Sequence, residues 1–124
     1  MNIKVLYVDD EAIPRLIFEK SFESKYSIMV AESGPEALSK MANLEDEFIV
    51  VISDMRMVEM DGIEFVTEAR KKFQNIECFI LTSLDQDDDI EQAISDNLVK
   101  KVFRKPLNVK EIEMAIKEVT AGVT

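Results

Sequence analysis

Histidine is absent from this 124-residue sequence, and Cys78 is its single cysteine. An intrachain disulfide is therefore impossible, and the zinc, haem and general-base sites that depend on histidine are excluded. Glycine and proline occur only three times each, too few for collagen-like repeats or low-complexity segments. Long apolar runs are missing as well. The longest, Phe48 to Ile52, is far below the roughly 20 residues that cross a bilayer. The N-terminal MNIKVLYVDD has no secretory h-region, so a soluble, cytoplasmic protein without membrane contact is expected. Basic residues are scarce: 15 against 25 acidic ones, a formal net charge of −10. That balance opposes nonspecific attraction to nucleic acid or anionic membranes, and it favours a cation as the small partner.

What is present reads as one folded domain over residues 1–124, with 47% hydrophobic and 32% charged residues. Short β-branched runs alternate with stretches of helical period. The order is IKVLYV, a helix over 12–24, SIMVAE, a helix over 34–44, FIVVIS, a helix over 61–72, ECFILT, a helix over 87–97, KVFR and a helix over 108–120. The pattern is five β/α units. VLYV, FIVVI and CFIL are apolar without alternation, as parallel strands covered on both faces require. Ser33, Asp61 and Asn108 read as N-caps, Gly34-Pro35 as a helix opening, and Gly122 as the residue following the last helix. Ile112, Ala115, Ile116 and Val119 form a core-facing stripe on that helix.

In such a sheet ligands sit beyond the carboxyl ends of the strands, where the winding direction reverses. Strand 1 ends in Asp9-Asp10-Glu11, strand 3 in Ser53-Asp54, strand 4 in Thr82-Ser83 and strand 5 in Lys105-Pro106. Carboxylates at roughly 4 Å cost about 1 to 4 kcal/mol per pair. A hard divalent cation with oxygen ligands, helped by Lys105, offsets that repulsion. Each acid taken alone is as well explained as an N-cap or Asx-turn former. Their joint occurrence at strand ends of one fold favours a site.

With YVDDE at 7–11, ISDMRM at 52–57, MDG at 60–62, LTS at 81–83 and KPL at 105–107, the chain resembles the receiver domains of two-component response regulators, of the single-domain chemotaxis type. The resemblance implies a flavodoxin-like α/β fold, a doubly wound five-stranded parallel sheet in the order 2-1-3-4-5. It implies Asp54 as phosphate acceptor. It also implies Mg²⁺, or Mn²⁺ in its place, held directly by Asp10, Asp54 and the backbone carbonyl of Arg56, and through water by Asp9. Thr82 and Lys105 complete the implied site, with Thr82 and the residue at Val102 as the switch. The implied donor is a sensor histidine kinase or phosphotransfer protein, with small acyl phosphates as substitutes. The implied recipient is a downstream effector or a C-terminal output domain beyond this chain. The implied role is a signalling phosphoacceptor that catalyses only its own phosphorylation and dephosphorylation, without direct nucleic-acid binding.

The simpler readings are a turn for Lys105-Pro106, a strand cap for Thr82, and core packing for Met55, Met57 and Met60, since thioethers do not suit Mg²⁺. Several positions depart from the family's pattern. Val58 replaces a common proline. Asn97 replaces the glycine that usually ends the fourth helix. The stretch from Thr82 to Lys105 is about one residue longer than is common. Val102, with Phe103 after it, stands where an aromatic is frequent; stiff at χ1 and without a ring, it predicts weak coupling to the surface around 99–104. Arg56 and Leu84 flank the approach to phosphorus and predict slow self-dephosphorylation.

Other classes fit less well. An aspartyl phosphohydrolase with its nucleophile at Asp9 would need a second Asp two residues on, where Glu11 stands. A flavin binder needs a phosphate-cradling loop in place of DDEAIP. Asp85, Asp87 and Asp89 begin like an EF-hand loop but lack its later ligands. A degenerate receiver, acting as a phosphorylation-independent binding module, would have lost an acid, the acceptor or the lysine.

Overall fold

The computed structural model describes residues 2–83 and 87–123. Among these, strands and helices alternate: β1 (Asn2–Val8), α1 (Ala12–Phe22), β2 (Ser27–Ala31), α2 (Gly34–Met41), β3 (Glu47–Asp54), α3 (Gly62–Lys72), β4 (Ile76–Thr82), α4 (Asp88–Ser95), β5 (Lys101–Arg104) and α5 (Val109–Thr120). The strands form one parallel sheet in the order β2-β1-β3-β4-β5, the doubly wound arrangement expected from the sequence. No helix among the described residues is long and apolar enough to cross a membrane.

The unbroken apolar strands are explained by two cores. Successive side chains of a strand point to opposite faces, so each strand contributes to both layers. On one face Leu6, Val8, Val51, Cys78 and Ile80 pack against Ala37 and Met41 of α2, Phe65, Val66 and Ala69 of α3, and Ile90 and Ala93 of α4. On the other face Val5, Tyr7, Val50, Ile52, Phe79, Leu81 and Phe103 meet Phe18 and Phe22 of α1 and Ile112, Ala115 and Ile116 of α5. Cys78 lies fully buried in the first core, where burial pushes its thiol up to about 12. It is packing, not chemistry.

The helices begin where the caps stand. Ser33 accepts from Glu36 N–H at 3.2 Å, Asn108 from Glu111 N–H at 3.1 Å, and Asp61 forms a full capping box with Glu64. Asp87 caps α4 by accepting from Asp89 and Ile90 N–H. Asp87 thus serves as a helix cap, and Asp85 lies outside the described residues.

The helix ends are less faithful to the pattern. α1 stops at Phe22 because Lys25 and Tyr26 N–H both turn back to the Phe22 carbonyl. α2 stops at Met41, where Leu44 N–H bonds to the Met41 carbonyl. Gly122 does follow α5, but it is not in the left-handed region; Asn97, at φ 61, is. Asn97 N–H bonds to Ile94 O at 3.0 Å and Leu98 N–H to Ala93 O at 2.9 Å, a complete Schellman closure of α4. Arg70 secures the longer connection that follows. Its guanidinium donates to Leu98 O, Ile76 O and the Glu77 carboxylate.

Register brings the functional ends together. Val8 lies beside Ala31 and Ser53, Asp54 beside Leu81, and Thr82 beside Arg104. The chain leaves β1 for β2 on one side and reaches β3 on the other, so the winding reverses between β1 and β3.

The start of α3 fixes the backbone under this crevice. Gly62 N–H donates to Met55 O at 2.8 Å. A Cβ at Gly62 would stand 2.5 Å from the Asp54 carbonyl oxygen and 3.0 Å from Ile80 Cδ1. We therefore predict that Gly62→Ala costs about 1–3 kcal/mol by overpacking, measured by urea denaturation; an unchanged midpoint would show that α3 can move away freely.

Candidate functional site

Asp9 follows the end of β1 and is fully buried. Both of its oxygens are engaged: Oδ1 accepts from Glu11 N–H at 3.0 Å, and Oδ2 accepts from the Tyr7 hydroxyl at 2.6 Å. Its backbone is held too, because Arg15 Nη1 donates to Asp9 O at 2.8 Å while the same guanidinium lies 3.6 Å from Glu32. Asp10 is exposed. Asp54 ends β3 almost buried, over a backbone carbonyl that also accepts from Ser53 Oγ at 2.9 Å.

One carboxylate oxygen from each of Asp9, Asp10 and Asp54 lies within 4.8 Å of the others. Lys105 supplies the opposing charge. Its Nζ stands 3.3 Å from Asp54 Oδ1 and 3.6 Å from Asp9 Oδ2. The Lys105–Pro106 peptide is cis, and Lys105 N–H bonds to the Thr82 carbonyl at 2.9 Å. Thr82 itself is buried at the end of β4. The donor set is all oxygen, with one exposed carboxylate, and suits a hard cation rather than a soft one.

Electrostatics agree with the geometry. Burial, and then the charge of Asp9, hold the Asp54 carboxyl above its ordinary range, with Lys105 acting in the opposite direction. Asp54 is thus a carboxylate whose charge Lys105 compensates only in part.

Arg56 is exposed in the loop after β3. With Asp10, Met55, Asp61 and Asp87 it lines an acidic hollow of about 420 Å³ beside the carboxylates. Val58, 72% exposed, introduces a tight three-residue turn in which Met60 N–H bonds to Val58 O at 2.9 Å and Glu59 sits at φ 72. A non-glycine residue there is strained by about 1–3 kcal/mol. Met55 is buried, and Met57 and Met60 pack against the same core, which agrees with reading all three as packing. Val102 is half-buried on the face of α2, α3 and α4. Phe103 is buried on the opposite face, its ring 5.3 Å from that of Phe79. Leu84, the second residue of the dephosphorylation argument, lies outside the described residues.

Two residues of the site escaped the sequence reading. Arg15, six residues on and within α1, fixes the backbone at Asp9. Tyr7 reads as core, yet in an extended strand residues two apart share a face, so a tyrosine two places before an aspartate was the available signal.

A parallel α/β sheet with three acids and a lysine at its switch point defines a small class of proteins. The chain belongs to the response regulator receiver domain family, whose match covers residues 5–117. It is 31% identical over 125 residues to the response regulator protein VraR of Staphylococcus aureus, covering 98% of this chain and 58% of VraR. The chain thus spans little more than half the length of this curated relative. Among solved structures it resembles a response regulator receiver domain protein of Clostridium thermocellum, at TM-score 0.87 and 25% identity over 96% of this chain and 94% of that one. It also resembles the response regulator TrrA of Thermotoga maritima, solved in complex with Mg²⁺-BeF, at TM-score 0.79 and 28% identity over 96% of this chain and 99% of that one. The chain is a receiver domain of phosphorylation-based two-component signalling.

A stability consequence follows from Asp54. A carboxyl with a raised pKa in the fold binds its proton more tightly folded than unfolded. Ionised Asp54 therefore costs stability in full above its folded pKa, and the cost disappears as pH falls below the ordinary value of 3.8. In metal-free protein Asp54→Asn should raise the melting temperature at pH 7, with the gain vanishing below about pH 4. Lys105 retains Asp9 in this variant. A melting temperature lowered at pH 7, or a gain independent of pH, would contradict the repulsion.

Proposed function

We propose that Asp54 is the phosphoacceptor of this receiver and that a phosphohistidine of a sensor kinase or phosphotransfer protein is its physiological donor. The observation that carries the reading is Lys105, whose ammonium stands 3.3 Å from Asp54 Oδ1 and 3.6 Å from Asp9. One lysine between two carboxylates beside a third leaves the site short of positive charge and able to accept a cation and an anionic phosphoryl group together.

Asp10 and Asp54, with the backbone carbonyl of Arg56, would hold Mg²⁺ directly, and Asp9 through water. Bound there, Mg²⁺ would neutralise charge on the equatorial phosphoryl oxygens. Mg²⁺ is preferred here to Mn²⁺ because the similar TrrA structure was solved with Mg²⁺; an oxygen-only donor set suits either ion. In the transfer, Asp54 Oδ attacks phosphorus, the donor's P–N bond breaks as the new O–P bond forms, and the electron pair leaves with the imidazole. Lys105 then contacts a phosphoryl oxygen, and the Thr82 hydroxyl donates to another. Thr82 and Val102 relay the change toward β5, with Val102 contributing a smaller movement than an aromatic would. The switched partner is a downstream effector or an output domain joined to the receiver.

Two alternatives have less support. A phosphohydrolase with Asp9 as nucleophile is opposed by the burial of Asp9 and the engagement of both its oxygens. A degenerate binding module is opposed by the joint presence of all three acids and Lys105 in one cluster.

Acetyl phosphate with Mg²⁺ should add one phosphoryl group to the intact chain by mass spectrometry, and Asp54→Asn should abolish it. Label retained in that variant, or mapped to another residue of the native chain, would refute the assignment.

A further inference from the structure

Tyr7 carries a polar atom in a place where the fold needs none. Its neighbours on the same sheet face, Val5, Val50, Ile52 and Leu81, are all apolar, and a phenylalanine would fill the same volume. The ring is fixed by the core. It is 1% exposed and stacks on Phe18 with centroids 4.4 Å apart and planes within 4°. The hydroxyl therefore has one well-defined place, and there it donates to Asp9 Oδ2 at 2.6 Å, a short charge-assisted bond. Burial, and then the bond to Asp9, push the phenol far above its ordinary range, so it stays a donor. Asp9 Oδ2 also lies 3.6 Å from Lys105 Nζ, and Oδ1 is taken by Glu11 N–H.

We propose that Tyr7 is a positioning residue of the cation site: its hydroxyl tethers the Asp9 carboxylate in the metal-free protein, and cation binding works against this tether. The inference rests on the reading of Asp9, Asp10 and Asp54 as the cation and phosphoryl site. A cation draws electron density and orientation from the carboxylate that the hydroxyl already satisfies. Whatever part of the hydrogen bond weakens on binding is subtracted from the affinity. Removing the hydroxyl should therefore do two opposite things: leave a buried carboxylate short of a donor in the free state, and tighten binding of the cation, whose coordinated water can then donate to the freed oxygen.

The test is a double-mutant cycle of Tyr7→Phe and Asp9→Asn, read twice, by urea denaturation without metal and by calorimetric titration with Mg²⁺ alone. Tyr7→Phe keeps the ring on Phe18 and should lower the metal-free unfolding midpoint while binding Mg²⁺ roughly three- to tenfold more tightly than wild type. In the Asp9→Asn background both effects should shrink to less than half. Unchanged or weaker Mg²⁺ binding by Tyr7→Phe would overturn the proposal. So would an equal stability loss in both backgrounds, which would mean that the hydroxyl serves the core alone. A wild-type chain that binds no Mg²⁺ would instead overturn the site reading, and the tether with it.

Discussion

The structure is organised around a shortage of positive charge at the carboxyl end of the sheet. Asp9, Asp10 and Asp54 bring carboxylate oxygens within 4.8 Å of one another, and Lys105 is the cation placed against them. At such separations each like-charge pair costs about 1 to 4 kcal/mol according to the local dielectric. No fold would gather these groups for stability's sake. The cost is tolerable because the two apolar cores beneath are large and continuous, and it has a use because the missing charge can arrive with a ligand.

Asp9 and Asp54 are positioned by hydrogen bonds and by the packing of buried strands. Asp9 is held by Tyr7, Glu11 and Arg15. Asp54 ends a central strand paired on both sides, with Gly62 pressed against its carbonyl. The open side is the hollow around Asp10 and Arg56, next to the strained turn at Glu59. A site with a fixed floor and an exposed mouth suits a reaction in which the donor is another macromolecule and the receiver contributes geometry and charge.

The β/α alternation and the residues of the acid cluster were legible because both follow from short-range signals, whereas the strand order came with the family resemblance. Apolar runs flanked by helical period give a parallel sheet, and the carboxyl ends of its strands then point to Asp9, Asp10, Asp54, Thr82 and Lys105. The caps Ser33, Asp61 and Asn108 were legible for the same reason: each acts on an amide three residues away. What was not legible depends on contacts between distant residues or on tight local geometry. The Arg70 clasp joins residues 28 apart, and no periodicity reveals it. The early ends of α1 and α2 follow from turns that compete with continued helix. The positive φ of Glu59 belongs to a residue type with no preference for it. Gly122 looked like a helix stop, but α5 ends without a left-handed residue, whereas Asn97 does close α4. Tyr7 was hidden by its own ring, which satisfies the core pattern while the hydroxyl serves the site.

The account stands most directly on where a phosphoryl mimic binds. A crystal structure of this chain grown with Mg²⁺ and beryllofluoride should show beryllium joined to an Asp54 carboxylate oxygen, with Lys105 Nζ and the Thr82 hydroxyl on its fluorines and the cation among Asp9, Asp10 and Asp54. Beryllofluoride bound elsewhere, or a cation and mimic that leave Asp54 and Lys105 paired as they are now, would contradict it.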